Sequence, residues 1–315
     1  MGGSAGVASR PATESDLPAC LAVWRDGLNG YLTPMGVPPI EAENPTVARL
    51  HAHTLATDPG LFRVATVTDE PGDERVIAFV SAVERGPVWF LSMLFVDPAE
   101  QAHGLGRALL REVLPTPLGG AILATVADSA QPVSNGLYAS HGIVPRMPLL
   151  HAVGRPRDDV RLPELPTGIA VQRVSAEAPA ERDRALAAEL DELDLDVLGF
   201  AHRQDHEFVR RDGRALFAYR GGDGRLVGYG YTSEVGRISP VAVRDEALLP
   251  AVMAHLLTVV EPRGASAVWL PGAAGRALTT VLDAGLRLEG FPFLVAWSRP
   301  FADFSRYLPI SPGLL

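Results

Sequence analysis

Apolar residues recur along the chain in two rhythms, one of period two and one near 3.6, and the order in which they alternate is used twice. From Val7 a short extended run gives way to Thr13 and Ser15, side chains suited to capping, and a helical period continues to about Leu28. A second helical stretch covers roughly 44–57. Three β-type runs follow at Leu61–Thr68, Val76–Glu84 and Val88–Val96. A Gly-containing turn then leads to a helix through Leu114, a strand over Ala121–Val126, a short helix at Ser134–Ser140 and a last pair of strands near Ile143–Val153.

Pro156, Pro163 and Pro166 among charged residues read as a linker, and after it the same order returns. A strand at Ile169–Val174 precedes a long acidic helix at Glu181–Leu198. Strands at Ala215–Tyr219, Leu226–Thr232 and Ile238–Val243 come next. Helix Ala247–Val260, strand Ala265–Leu270, helix Gly275–Ala284 and strand Phe293–Trp297 complete the second set. Val96 and Val243 close equivalent strands, Gly142 and Gly285 follow equivalent helices, and the two separations are nearly equal. The expectation is a duplicated α/β (α+β) fold, each copy a mixed, mostly antiparallel sheet flanked by helices. Its parts are 1–154, a linker at 155–167, and 168–315.

Composition narrows the chemistry. The 315 residues include 28 basic and 37 acidic side chains, a formal charge of −9, which leaves no general footprint for nucleic acid or an anionic membrane. Cys20 is the only cysteine, so neither a disulfide framework nor a Cys-rich zinc module fits, and a reducing, cytoplasmic setting is expected. The longest apolar run, 247–260, is short and carries Pro250 and His255, so no bilayer-spanning helix is expected. Met1–Ser4 has no signal-peptide character, and Gly6 stands where a myristoylation motif needs Ser or Thr. Every basic residue is Arg; the chain has no lysine to acetylate on itself.

The most informative stretch runs from Val88 to Leu114. An apolar strand ends at Val96, Asp97-Pro98 turns the chain, and Gln101-Ala102-His103-Gly104-Leu105-Gly106 opens a helix. A helix N-terminus presents unpaired N–H groups and partial positive charge. Glycines at 104 and 106 remove side chains that would keep a phosphate from that backbone, and Arg107 adds an ionic contact. On spacing alone a G-x-G of this kind also fits a plain strand-to-helix turn.

The context resembles the GNAT superfamily of N-acetyltransferases. Leu94-Phe95-Val96-Asp97-Pro98 followed by Gln101–Gly106 is similar to that family's motif A. Ser9–Thr13 with Asp16-Leu17 looks like its first strand and helix. Gln131-Pro132-Val133-Ser134-Asn135-Gly136-Leu137-Tyr138, continuing through Gly142-Ile143, looks like its motif B. The resemblance covers about 7–153. It implies acetyl-CoA as acyl donor, with the pantetheine arm paired to the backbone at Leu94 and Val96. It also implies the pyrophosphate on N–H groups from His103 to Arg107, with Gln101, Ala102 and Leu105 in the same loop. A backbone N–H near Phe95 would polarise the thioester carbonyl, an amine would attack directly, and Tyr138 would protonate the departing thiolate.

Two positions depart from the family pattern. Where relatives carry an Asn that contacts the cofactor this chain has Gln131, with Asn135 one turn later. Where relatives carry a Glu as general base it has Ser92, too weak a base alone; a water chain, Glu84 from the neighbouring strand, or an amine of low pKa must then serve. Trp24, Tyr31 and Met35 fall where this fold shapes an acceptor pocket, and they also fit a core role.

The second half carries Arg244-Asp245-Glu246 at the matching turn, acidic where phosphate would approach, and Val281 where Tyr138 stands in the first. It reads as a degenerate copy that replaces the partner subunit of dimeric relatives; a monomer with an internal pseudo-dimer is expected, a homodimer being the alternative. His202 and His206 lie outside a clear apolar helix and lack the Glu of H-E-x-x-H, so no metal is expected. His51 and His53 read as solvent-facing, the acidic run Glu189–Asp196 as a solvated face, and Arg306–Ile310 as too apolar to hang free. The expected function is acetyl transfer to a primary amine, most simply a small molecule. The alternatives are a non-catalytic acetyl-CoA sensor and an acyltransferase for longer acyl groups.

Overall fold

The computed structural model describes residues 6–70, 73–116, 119–174 and 180–315; the start at Met1–Ser4 lies outside them. Contacts divide the chain into two compact units, 1–84 with 89–121, and 85–88 with 122–315. The division falls at 121/122, not in the Pro-rich segment at 155–167.

In the first unit, strand β1 (Ala8–Pro11) precedes helices α1 (Leu17–Leu32) and α2 (Pro45–Thr57), then strands β2 (Phe62–Glu70), β3 (Asp73–Arg85) and β4 (Val88–Val96) and helix α3 (Leu105–Val113). The strands lie in the order β1-β2-β3-β4, with β1 and β3 antiparallel to β2. Local chemistry sets the helix starts. Asn44 caps α2 by accepting from Val47 N at 3.1 Å, and Pro45 supplies the fixed φ of the first turn. Helix α3 buries Leu109, Leu110 and Val113 and leaves Arg107, Arg111 and Glu112 exposed. The core stacks Phe62, Phe79 and Phe95, with neighbouring ring centroids 5.8 Å apart.

The second unit continues with β5 (Ile122–Asp128), α4 (Pro132–Ala139) and β6 (Val144–Gly154), then β7 (Ala170–Val174), α5 (Ala180–Val197), α6 (Arg203–Arg211), β8 (Ala215–Arg220), β9 (Leu226–Thr232) and β10 (Ile238–Val243). Helix α7 (Leu249–Thr258), β11 (Ser266–Pro271), α8 (Gly275–Asp283), β12 (Arg287–Leu288), β13 (Phe293–Trp297) and β14 (Tyr307–Leu308) follow. The expected pair of strands at 143–153 is one strand, β6. Helix α6 and strands β12 and β14 had no expectation.

Two sheets run through this unit, one ordered β5-β13-β6-β11 with β12 on β6, the other β14-β10-β9-β8-β7. In the first, β13 pairs antiparallel to both β5 and β6, and β6 also pairs with β11. The last strands of the two copies are therefore exchanged, each inserted beside a strand of the other. That exchange explains why residues from 122 onward cluster with the C-terminal half. The segment 155–167 forms no helix or strand and packs Leu162 and Leu165 on the core of this unit.

Candidate active site

Strand β4 is buried from Val88 to Met93 and then opens, with Leu94, Phe95 and Val96 partly exposed. At its end Asp97 Oδ1 accepts from Ala99 N at 2.9 Å and starts a single 3₁₀ turn over Pro98–Glu100. Gln101 Nε2 donates back to Val96 O at 3.1 Å, and His103 Nδ1 lies 3.3 Å from Glu100 O. The loop then bends sharply: Ala102 has φ 68° and Gly104 φ 78°. A left-handed conformation costs a residue with a Cβ roughly 1–2 kcal/mol; Gly104 escapes that cost, while Ala102 adopts it, which marks a shape that the surrounding loop imposes.

The first intrahelical bond of α3 runs from Ala108 N to Gly104 O at 3.0 Å, which leaves the N–H groups of Leu105, Gly106 and Arg107 without a helical acceptor. A Cβ at Gly104 would meet nothing within 4 Å; a side chain there would project into open space before these donors. Gln101 to Gly104 and Arg107 are exposed. N–H groups presented in this way, with open space before them, are the kind of cradle that can accept an anion such as a pyrophosphate.

The expected acceptor residues fall on α1. Trp24, Gly27 and Tyr31 follow the i, i+3, i+7 spacing of one helix face. A Cβ at Gly27 would lie 3.1 Å from the Phe95 ring, so this face meets the open end of β4. Trp24 and Tyr31 are half-buried, and Met35 is exposed beyond the helix end. Ser92 is buried on β4. Glu84, offered as a base, is exposed at the hairpin end of β3 and donates its backbone N–H to Asp58 Oδ1. Strand β4 runs from that hairpin to Phe95, roughly 20 Å at the usual rise, so the structure does not bring Glu84 to the acyl end.

His51 corrects the solvent-facing expectation. It is fully buried on α2, with Nε2 3.1 Å from Met93 Sδ and its ring edge-on to Phe79. Burial lowers its pKa to about 4.

In the second unit, α4 carries Gln131 at its N-cap and Tyr138 on its buried face. Burial pushes the Tyr138 phenol up from its ordinary value, and a hydrogen bond with Ser134 offsets only part of this. The side chain therefore holds its proton at neutral pH. Asn135 Nδ2 donates to Asp128 O and to Gln131 O, both at 2.8 Å, which ties α4 to the end of β5. Its Oδ1 is buried without a hydrogen bond, one acceptor still uncommitted.

Residues 32–143 match the acetyltransferase (GNAT) family. Over these residues the chain is similar to GNAT acetyltransferases. That match spans β4, the cradle and α4. Among solved structures, the chain is similar to a candidate acetyltransferase from Pyrococcus horikoshii, at TM-score 0.74 and 15% identity over 98% of this chain and 96% of that one. A GCN5-related N-acetyltransferase from Sphaerobacter thermophilus aligns at TM-score 0.61 and 18% identity, covering 95% and 98% of the two chains. A tandem GNAT protein from the clavulanic acid biosynthesis pathway aligns at 0.56 and 17%, covering 94% and 99%. At these identities the likeness is one of fold. No curated protein matches.

The second half repeats the element order, and its strand β10, which corresponds to β4, is covered by the chain's own tail. Strands β10 and β11 touch through a parallel bridge at Arg237 and Ala267, where Ala267 N donates to Gly236 O at 2.7 Å. Gly236 is required there, since a Cβ would fall 1.9 Å from Ala265 O. Beyond the bridge, β14 pairs with β10, Val241 facing Leu308 and Ala242 facing Tyr307, and it also touches β11. Val243 N donates to Arg306 O at 3.0 Å. The segment 303–315 thus lies along the strand that corresponds to β4, with Tyr307, Leu308, Ile310, Leu314 and Leu315 buried. The apolar Arg306–Ile310 run was legible as a packed segment; that it extends a sheet was not.

Proposed function

We propose that the chain is an acetyl-CoA-dependent N-acetyltransferase with one working site, supplied by the first GNAT copy, and that the second copy binds no acyl-CoA. The observation that carries this reading is the cradle at Gly104–Arg107 directly after the open end of β4. In this reading Leu94 and Val96 pair with the pantetheine arm, the N–H groups of His103 to Arg107 hold the pyrophosphate, and Asn135 Oδ1 offers a further contact where Gln131 departs from the family pattern.

The chemistry follows from the groups present. The amine nitrogen attacks the thioester carbonyl carbon, whose oxygen gathers negative charge beside the backbone N–H near Phe95. As the C–S bond breaks, Tyr138 hydrogen-bonds to the sulfur and passes its proton to it; the elevated phenol pKa keeps that proton in place until a thiolate forms. The attacking nitrogen loses its proton through water ordered by Ser92, because Glu84 lies on β3 beside the hairpin and away from the open end of β4. Such a site favours an amine that is neutral near pH 7. Trp24 and Tyr31 line its approach, which suits a small molecule. The exchange of β6 and β13 within one chain supports a monomer that completes its own dimer-like sheet.

The missing carboxylate favours a second reading, a sensor that binds acetyl-CoA without transfer. The test is thiol release from acetyl-CoA with a panel of primary amines, read against Tyr138→Phe. Turnover with at least one amine that this variant loses supports the enzyme. Tight binding with no turnover across the panel supports the sensor.

A further inference from the structure

Helices α5 and α6 bring three metal-competent side chains to one buried point. Asp194 comes from α5, His202 is the N-cap residue of α6, and His206 follows one turn later; one ligand atom from each lies within 4.8 Å of the others. His206 Nε2 stands 2.8 Å and His202 Nε2 3.3 Å from the same oxygen, Asp194 Oδ2. The outward atoms are already engaged. Tyr229 donates to Asp194 Oδ1 at 2.7 Å, and Tyr231 Oη lies 2.9 Å from His206 Nδ1. This is the arrangement by which outer hydrogen bonds fix the tautomer and direction of metal ligands.

Charge and hydrogen bonding both point to a cation. Arg85 grips Asp205 through Nε at 2.6 Å and Nη2 at 2.9 Å, which neutralises that carboxylate. Asp194, fully buried, remains the acid whose charge needs a partner. A proton on His202, held between Asp194 and Asp205, is one solution. Geometry argues for another. Neither nitrogen of the buried His202 makes a hydrogen bond, and Nδ1 is 3.6 Å from Asp205 Oδ2. An imidazolium there would leave two N–H groups poorly satisfied. A neutral ring would instead turn the Nε2 lone pair toward the shared point. Tyr307 Oη, on a ring whose centroid lies 6.2 Å from that of His202, is also buried without a hydrogen bond. A cavity of about 80 Å³, lined by Asp191, Arg203, Glu207, Arg210 and Tyr231, reaches His206.

We infer that Asp194, His202 and His206 form a binding site for a first-row divalent cation, with zinc the best match to two imidazoles and one carboxylate. Such a donor set suits zinc and leaves a fourth position for water or the Tyr307 phenol. The ion clamps α5 to α6 and takes no part in acetyl transfer, so this site stands or falls independently of the function proposed above.

The test uses the full-length chain without a histidine tag, purified from zinc-supplemented medium and desalted. Elemental analysis is expected to give one zinc per chain, and a chelator should remove it with a fall in Tm that added zinc reverses. Cobalt substituted for zinc should show the visible absorption of a four-coordinate ion. His206→Gln should abolish stoichiometric binding, whereas His103→Ala should keep it. Tyr231→Phe, which removes only the outer hydrogen bond, should weaken zinc affinity about 10-fold. Should His206→Gln fail to fold, the cobalt spectrum and zinc stoichiometry of the unmodified chain still decide. A chain that carries no zinc, gives no cobalt spectrum and has a Tm indifferent to both chelator and zinc overturns the proposal and leaves His202 as a buried imidazolium.

Discussion

Strands β4 and β10 occupy the same place in the two copies, and each is followed within two residues by an aspartate that caps the next turn. Asp97 accepts from Ala99 N and Asp245 from Ala247 N, each at 2.9 Å. From there they part. In the first copy residues 101–104 separate the 3₁₀ turn from α3; in the second the turn Glu246–Leu248 runs straight into α7 at Leu249. The second copy lacks the whole loop that carries the cradle, not only its glycines. Strand β10 is also buried along its full length, with β9 on one edge and β14 on the other, while the last three residues of β4 stay partly open. The shorter turn and the added strand β14 leave the element order intact while the strand that corresponds to β4 is buried.

The sharpest way to break this comparison is to exchange the character of the two turns. Gly104→Glu sets a carboxylate and a strained left-handed residue before the N–H donors of α3, and titration calorimetry should show acetyl-CoA binding at least about 100-fold weaker, about 2.7 kcal/mol. Asp245→Ala should leave binding unchanged. Next in size, Leu308→Ala empties a fully buried position in the filled groove and should lower unfolding stability by about 3 kcal/mol in urea, without adding a second acetyl-CoA site. If that variant bound two equivalents, the tail and not the missing loop would be what closes the second copy.

Tyr138 and Val281 give a smaller contrast. Tyr138→Phe should reduce kcat about 100-fold with acetyl-CoA affinity within twofold, while Val281→Ala, in the core of the other copy, should reduce stability and leave turnover intact.

The element order was readable twice over because each copy supplies its own apolar rhythm and breaker residues, and the 88–96, 226–232, 238–243 and 293–297 strands fall where the pattern sets them. The cradle was readable for a similar reason, since Gly104 follows from a local backbone demand. What stayed hidden depends on distant pairing. Nothing near β13 signals that it will sit between β5 and β6, and the two residues of β14 are too few to show a period. His51 was misread because α2 buries a polar ring among Phe62, Phe79 and Met93, and a hydrophobic pattern counts histidine as outward. His202 and His206 fall on a short helix of mainly charged residues, whose buried face is set by Asp194 and Tyr231 from elsewhere.

The histidines before the second strand of each copy yield the smallest contrast. His51 binds its proton less readily folded, at about 4, than unfolded, near 6.5. Its contribution is complete above 6.5 and declines as pH falls toward 4, about 2 kcal/mol by pH 5. A His51→Leu chain should lose that part of the acid dependence, measured as urea unfolding from pH 7 to pH 5. Equal slopes in both proteins would mean that His51 does not titrate as a buried neutral ring.

We propose that one copy binds acetyl-CoA and that the other does not. Calorimetric titration of the unmodified chain with acetyl-CoA tests it most directly through stoichiometry. One equivalent per chain is expected; two equivalents, or binding that survives Gly104→Glu undiminished, would contradict a single working copy.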